Sequence, residues 1–123
     1  MNVWYALAGA GALGVMAIHL VEGGRTVLKP MREAQFDPLA QATLVVCWHT
    51  ITALLTLMGL GLLACAYTPE SSWVMPIVLA VTLLNAIFAV LFLGFGAALG
   101  RVWELGQWML FVPLVVLGLV GVW

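Results

Sequence analysis

Charged side chains are the scarcest feature of this sequence. Lys, Arg, Asp and Glu together make up 7% of its 123 residues, whereas soluble domains carry roughly 25%. None of them occurs between Pro38 and Pro69, or between Ser71 and Gly100. Each of these gaps exceeds the ~20 apolar residues that cross a bilayer core. The composition therefore excludes an ordinary soluble domain and predicts an integral membrane protein.

Cysteine and the common catalytic motifs are also scarce. The two cysteines, Cys47 and Cys65, lie on one predicted helix, about 27 Å apart at 1.5 Å per residue, which is too far for a disulfide bond. The sequence has no CxxC, HExxH or GxSxG motif and no run of basic residues. These absences argue against a hydrolase and against nucleic acid as a partner.

The chain is built from four long apolar runs, at about residues 3–22, 39–66, 73–95 and 102–122. Lipid offers no hydrogen-bond partner to a backbone, and period-two alternation is missing, so each run is predicted to be a helix. We expect an all-α fold: a single domain over residues 1–123, arranged as an antiparallel up-down bundle of four transmembrane helices. No Lys or Arg precedes the first run, so we expect it to be retained and not cleaved as a signal peptide.

The basic residues predict the orientation. Arg25, Lys29 and Arg32 lie between the first and second runs, and Arg101 precedes the fourth. These two connections lie on the same side of a four-span protein, and the opposite side has no Lys or Arg. The positive-inside rule then places the connections in the cytoplasm. We expect a protein of the bacterial inner membrane with both termini in the periplasm.

Each predicted helix also carries polar residues at helical spacing. His19 and Glu22 share a face of the first helix, and His49, Thr52 and Thr56 form a stripe on the second. The third and fourth helices contribute further polar groups: Thr82, Asn85, Glu104 and Gln107. Ionisable groups inside a span usually face the protein interior. We therefore predict a polar pocket in the cytoplasmic half, lined by Thr52, Thr56, Asn85 and Gln107.

Two cofactor hypotheses follow from this pocket. His19, Glu22, His49 and Glu104 together would suit a transition metal, and His19 and His49 alone would suit the iron of haem b. The alternative is structural: Glu22 with Arg25, and Arg101 with Glu104, are three residues apart and can form surface ion pairs. The two histidines would then be neutral interior groups bonded to a backbone carbonyl or a threonine hydroxyl.

The end of the first helix decides between these alternatives. If the helix continues through Gly23 and Gly24 to about Leu28, antiparallel packing brings His19 level with His49. If Gly23 ends the helix, the two imidazoles differ in depth by about 10 Å and cannot share a ligand.

Two resemblances bear on function. The pattern of His19, Gly23–Gly24, Pro30 and 48-WH-49 resembles small bacterial four-span integral membrane proteins that have no assigned activity, which implies that these positions act as a set. The chain is also similar in length and topology to small multidrug-resistance transporters, with Glu22 as the membrane carboxylate. Many of those transporters insert in both orientations, however, and the one-sided basic residues here do not allow that.

The leading hypothesis is a small binding or accessory protein. Its polar pocket would hold a metal, a haem or a lipophilic small molecule, and it would contact the lipid bilayer and either other membrane subunits or further copies of itself. One alternative is an oligomeric transporter or channel that uses Glu22 or Glu104. Another is a membrane enzyme in which His19 or His49 serves as general base.

Overall fold

The structure, a computed structural model, describes residues 1–123 and contains helices and no strands. Four helices follow one another along the chain. They are α1 (Val3–Glu33), α2 (Pro38–Tyr67), α3 (Val74–Ala98) and α4 (Trp108–Val120). The predicted all-helical class is confirmed.

Helix α1 is longer than the first apolar run. It is α-helical over Val3–Ile18, π-helical over His19–Leu28 and α-helical again over Lys29–Glu33. The backbone therefore continues through Gly23 and Gly24, which corresponds to the first of the two alternatives above. At its start, the Asn2 side chain accepts hydrogen bonds from the backbone N–H groups of Trp4 and Tyr5, as an N-cap residue does.

Helix α2 begins at Pro38, one residue before the apolar run predicted at 39–66. Asp37 Oδ1 accepts hydrogen bonds from Leu39 N and Ala40 N, and Pro38 occupies the first turn, where its missing N–H costs nothing. No charged residue interrupts the helix before it ends at Tyr67.

Helices α3 and α4 are joined by a compact turn over residues 99–107. Gly100 has a φ of 66°, and the Trp108 indole N–H closes the turn by donating to the Val102 carbonyl at 3.2 Å. Because the turn uses residues 102–107, α4 is shorter than the apolar run predicted at 102–122.

Three helices meet at one end of the molecule. Asn2 N donates to the Ala66 carbonyl, and Asn2 Nδ2 donates to the Gly121 carbonyl, both at 2.9 Å. We call this the Asn2 end, and the opposite end, where α1 finishes and α2 starts, the Pro38 end. The buried apolar side chains of α1 and α2 all lie towards the Asn2 end. They are Tyr5, Ala8, Ala12, Val15, Leu55, Met58, Leu62, Cys65 and Ala66.

Close helix contact in this region depends on small residues. A Cβ atom on Gly9 would lie 2.9 Å from the Gly59 carbonyl oxygen, so the backbones of α1 and α2 approach as closely as two glycines permit. Phe111 of α4 packs on Phe88 and Phe92 of α3, with ring centroids 5.2 and 6.0 Å apart.

Length and composition agree with a membrane location. Helices α1, α2 and α3 have 31, 30 and 25 residues and are apolar enough to cross a membrane. Helix α4 is apolar but has 13 residues, about 20 Å at 1.5 Å per residue.

Candidate functional site

The indole of Trp48 is the centre of the contact between α1 and α2 on the Pro38 side of the core. The His19 ring stacks on it, with centroids 3.9 Å apart and ring planes 17° apart. His19 Nε2 lies 3.4 Å from the Trp48 carbonyl oxygen, to which a protonated Nε2 donates. The contact brings His19 to the level of residues 48 and 49, as the continuous-helix alternative requires.

Gly23 makes room for this indole. A Cβ atom at position 23 would lie 2.7 Å from Trp48 Cη2 and 3.2 Å from Cζ2, which is well inside the 3.5–4.0 Å of an ordinary carbon–carbon contact. At Gly24 a Cβ atom would meet nothing within 4 Å. The two neighbouring glycines therefore differ in role, and only Gly23 is required by the packing of Trp48.

The π-helical segment carries His19, which stacks on Trp48, and Gly23, which faces the Trp48 ring. Its hydrogen bonds span one residue more than those of an α-helix, as in the bond from Lys29 N to the Gly24 carbonyl, and π-helical turns are frequent at functional sites. Thr26 Oγ1 donates to the Glu22 carbonyl at 2.9 Å. Among the other three helices, α2 provides the main packing partner of this segment.

His49 directly follows Trp48, on which His19 stacks, but its environment differs from that of His19. His19 is half-buried, whereas His49 is exposed on the outer surface of α2. Cys47, two residues before His49, is also exposed. His19 therefore lies in the contact between α1 and α2, and His49 lies on the surface of the bundle and not in its interior.

The four predicted metal ligands do not form a cluster. No group of three or more His, Cys, Asp or Glu side chains is placed to hold a metal ion. Glu22 and Glu104 are exposed, and Glu104 Oε2 accepts a hydrogen bond from Arg101 Nη1 at 3.3 Å. Glu104 lies in the turn before α4, which explains why it does not point into the bundle. The Arg101–Glu104 surface pair is the structural alternative considered above.

The predicted pocket-lining threonines are half-buried and bonded to their own helix. Thr52 Oγ1 donates to the Trp48 carbonyl at 3.2 Å, and Thr56 Oγ1 donates to the Thr52 carbonyl at 2.8 Å. The Trp48 carbonyl oxygen is thus shared by the Thr52 hydroxyl and the His19 ring.

The other two predicted lining residues lie in the second half of the chain. Asn85 is 1% exposed; its Nδ2 donates to the Val81 carbonyl at 3.0 Å, and its Oδ1 has no hydrogen-bond partner. Gln107 is half-buried, and its Oε1 also lacks a partner. Two surface grooves, one at Arg32–Val46 and one at Val90–Ala98, are lined by neither Asn85 nor Gln107, and by no histidine or glutamate.

A long stretch of the first two helices has no buried residue at all. Every residue from Met16 to Leu54 is exposed or half-buried, although this stretch contains the His19–Trp48 contact. The Nε1 atom of Trp48 is nevertheless shielded and makes no hydrogen bond. We call the part of this stretch around His19, Trp48 and His49 the His–Trp surface.

The sequence predicted His19 and His49 as site residues but gave no role to Trp48, on whose ring His19 stacks. The sequence does carry a signal for this contact, because the pair Gly23–Gly24 and the pair Trp48–His49 occur in one pattern. The contact between Gly23 and the Trp48 ring now gives that pattern a physical meaning.

The fold and site define an all-helical protein with three helices long and apolar enough to cross a membrane. The chain matches no protein-family model, no curated protein and no solved structure.

Proposed function

We propose that this chain is a small accessory protein of the bacterial inner membrane, and that its His–Trp surface binds a partner within the membrane. The arrangement proposed is an up-down bundle with both termini in the periplasm. The contacts Asn2–Ala66 and His19–Trp48 support antiparallel α1 and α2. The basic residues Arg25, Lys29 and Arg32 at the Pro38 end support a cytoplasmic location for that end.

One observation carries the proposal: His49 is exposed on a transmembrane helix, on a stretch that lacks buried residues. His49 is eleven residues into α2 from Pro38, about 16 Å at 1.5 Å per residue. Ionisable side chains inside membranes are rare and nearly always face a protein interior or a water-filled cavity. An imidazole at this position therefore favours a surface that a second protein covers, either another subunit or a second copy of the chain.

Photocrosslinking from α2 tests this proposal. Ala53 is one helical turn from His49. Ala64 lies eleven residues further along the helix, close to the same face because eleven residues make just over three full turns. Both alanines are exposed. A photoreactive amino acid at position 53 should form a protein adduct of defined mass in native membranes, whereas the same probe at position 64 should label lipid.

A His49→Ala change should weaken the adduct formed from position 53. The adduct mass distinguishes a second copy from a different subunit. Lipid labelling alone from both positions would refute the proposal, and so would equal protein adducts from both, because the contact would then not centre on His49.

A haem or a lipophilic small molecule remains the predicted ligand of the two histidines. His19 stacks on Trp48, the residue that precedes His49 in α2, and the exposure of His49 leaves its imidazole accessible to a ligand. The visible absorption spectrum of the chain purified from its native membrane tests this part. A haem band that is lost in both His19→Ala and His49→Ala would support bis-histidine ligation, and a colourless protein would reject haem.

The transporter and enzyme alternatives have weaker support. The Glu104 carboxylate is engaged by Arg101, and Glu22 is exposed on the π-helical segment. Proteoliposome flux that is lost in Glu22→Gln would favour the transporter over the accessory protein.

A further inference from the structure

An open groove of ≈ 540 Å³ lies at the Pro38 end, between the end of α1 and the start of α2. Its walls are formed by Arg32, Pro38, Gln41, Ala42, Val45 and Val46. The α2 residues among them recur every three or four positions, so the groove follows one face of that helix. From Pro38 to Val46 it extends about 12 Å at 1.5 Å per residue.

Arg32 is the charged residue of the groove, and its guanidinium has no carboxylate partner. The ion pairs of the chain are Lys29–Glu33 and Arg101–Glu104. The neighbouring carboxylate of Asp37 is occupied in capping α2. The Arg32 carbonyl accepts a hydrogen bond from Gln41 Nε2 at 2.6 Å, which ties the backbone at the end of α1 to the first turns of α2.

The groove therefore combines an exposed, unpaired guanidinium with an apolar wall that runs along α2. A guanidinium forms paired hydrogen bonds with phosphate oxygens. Ala42, Val45 and Val46 offer a surface for a hydrocarbon chain, which a free phosphate ion would not use. The groove also starts at the N-terminus of α2, where a membrane helix enters the headgroup region.

We infer that this groove binds one anionic phospholipid, with its phosphate at Arg32 and the first part of an acyl chain along Ala42, Val45 and Val46. Lys29 is paired with Glu33, and Arg25 lies seven residues before Arg32, about 10 Å along α1 at 1.5 Å per residue, so Arg32 is the basic side chain available to the phosphate in this groove. The inference concerns a different part of α2 from the His–Trp surface and does not depend on a protein partner.

Native mass spectrometry of the full chain in detergent tests the inference. The protein is titrated with phosphatidylglycerol or with phosphatidylcholine, and the dissociation constant of the first lipid adduct is measured. Phosphatidylglycerol should bind more tightly. Arg32→Gln should weaken its binding roughly five-fold, since a basic residue near an anionic surface contributes about 1 kcal/mol. Arg25→Gln, which removes the same charge outside the groove, should leave the dissociation constant nearly unchanged.

A second variant separates a lipid site from a phosphate site. Ala42→Phe fills the apolar part of the groove while Arg32 stays in place, and it should weaken binding of phosphatidylglycerol. Glycerol 3-phosphate in millimolar excess should not displace the lipid. Equal binding of the two lipids would overturn the inference, as would equal effects of Arg32→Gln and Arg25→Gln. Displacement by glycerol 3-phosphate would assign the groove to a free phosphate compound instead.

Discussion

Replacing Gly23 by alanine should destabilise the protein although alanine is the better helix former. The added Cβ would lie 2.7 Å from Trp48 Cη2, so the indole must move by roughly 1 Å to restore normal carbon contacts. Overpacking of this kind costs about 1–3 kcal/mol, and disturbing the stack with His19 costs about 0.5–1.5 kcal/mol more. The gain in helix propensity offsets only about 1 kcal/mol of this.

Gly24→Ala is the matched control, because a Cβ atom there meets nothing within 4 Å. Only the gain in helix propensity applies at this site, so the variant should be neutral or more stable by up to about 1 kcal/mol. The gain in helix propensity is common to both variants, so we expect their free energies of unfolding to differ by about 1.5–4.5 kcal/mol. The middle of this range, about 3 kcal/mol, is roughly a 160-fold difference in the unfolding equilibrium.

The buried thiol of Cys65 provides the assay. In a Cys47→Ser background, a maleimide can reach Cys65 only when the bundle opens, so pulse labelling across an SDS titration in mixed micelles gives the fraction unfolded. Equal stabilities of Gly23→Ala and Gly24→Ala would refute the reasoning. The same conclusion would follow if Gly23→Ala cost as much in a Trp48→Ala background as in the native chain, since the ring that it strikes would then be absent.

Three further predictions test other parts of the fold. Gly9→Ala should lower the free energy of unfolding by about 2–3 kcal/mol, because its Cβ would strike the backbone carbonyl of Gly59; an unchanged unfolding midpoint would contradict this. Gly100→Ala should cost about 1–2 kcal/mol in the same titration because of its φ of 66°, and no loss would mean that the turn is built differently. In the folded protein in detergent, maleimide should label Cys47 and spare Cys65, with peptide mass spectrometry as the readout; rapid labelling of both thiols would show that the core at the Asn2 end is open.

The helices were largely predictable because their physical determinants are local. The lack of charge between Pro38 and Pro69 predicted a long apolar helix at about residues 39–66, one residue inside each end of the observed Pro38–Tyr67. The end of the first helix was not decided by local signals. A glycine pair usually favours termination, but here Gly23 packs against Trp48, which is 25 residues away in the sequence. A tertiary contact overrides the local preference.

The site was predictable in its residues more than in its geometry. His49 and Trp48 are adjacent, so they lie about 100° apart around α2, and the sequence does not say which of them faces α1. The structure turns Trp48 towards α1 and leaves His49 exposed. Glu104 shows a second reason why the observed geometry differs from the predicted one. Its apolar neighbours resemble the start of a helix, but residues 102–107 form a turn that the Trp108 indole closes.

The length of α2 has a consequence for the kind of bilayer that suits this protein. Its 30 residues extend about 45 Å at 1.5 Å per residue, and a typical tilt of ~20° shortens the vertical span only to about 42 Å against a hydrocarbon thickness of ~30 Å. In the proposed transmembrane arrangement, about two turns of α2 therefore stand outside the hydrocarbon region. A change of a few ångströms in bilayer thickness would raise or lower these turns relative to the acyl chains, so the protein should respond to acyl-chain length as well as to headgroup charge.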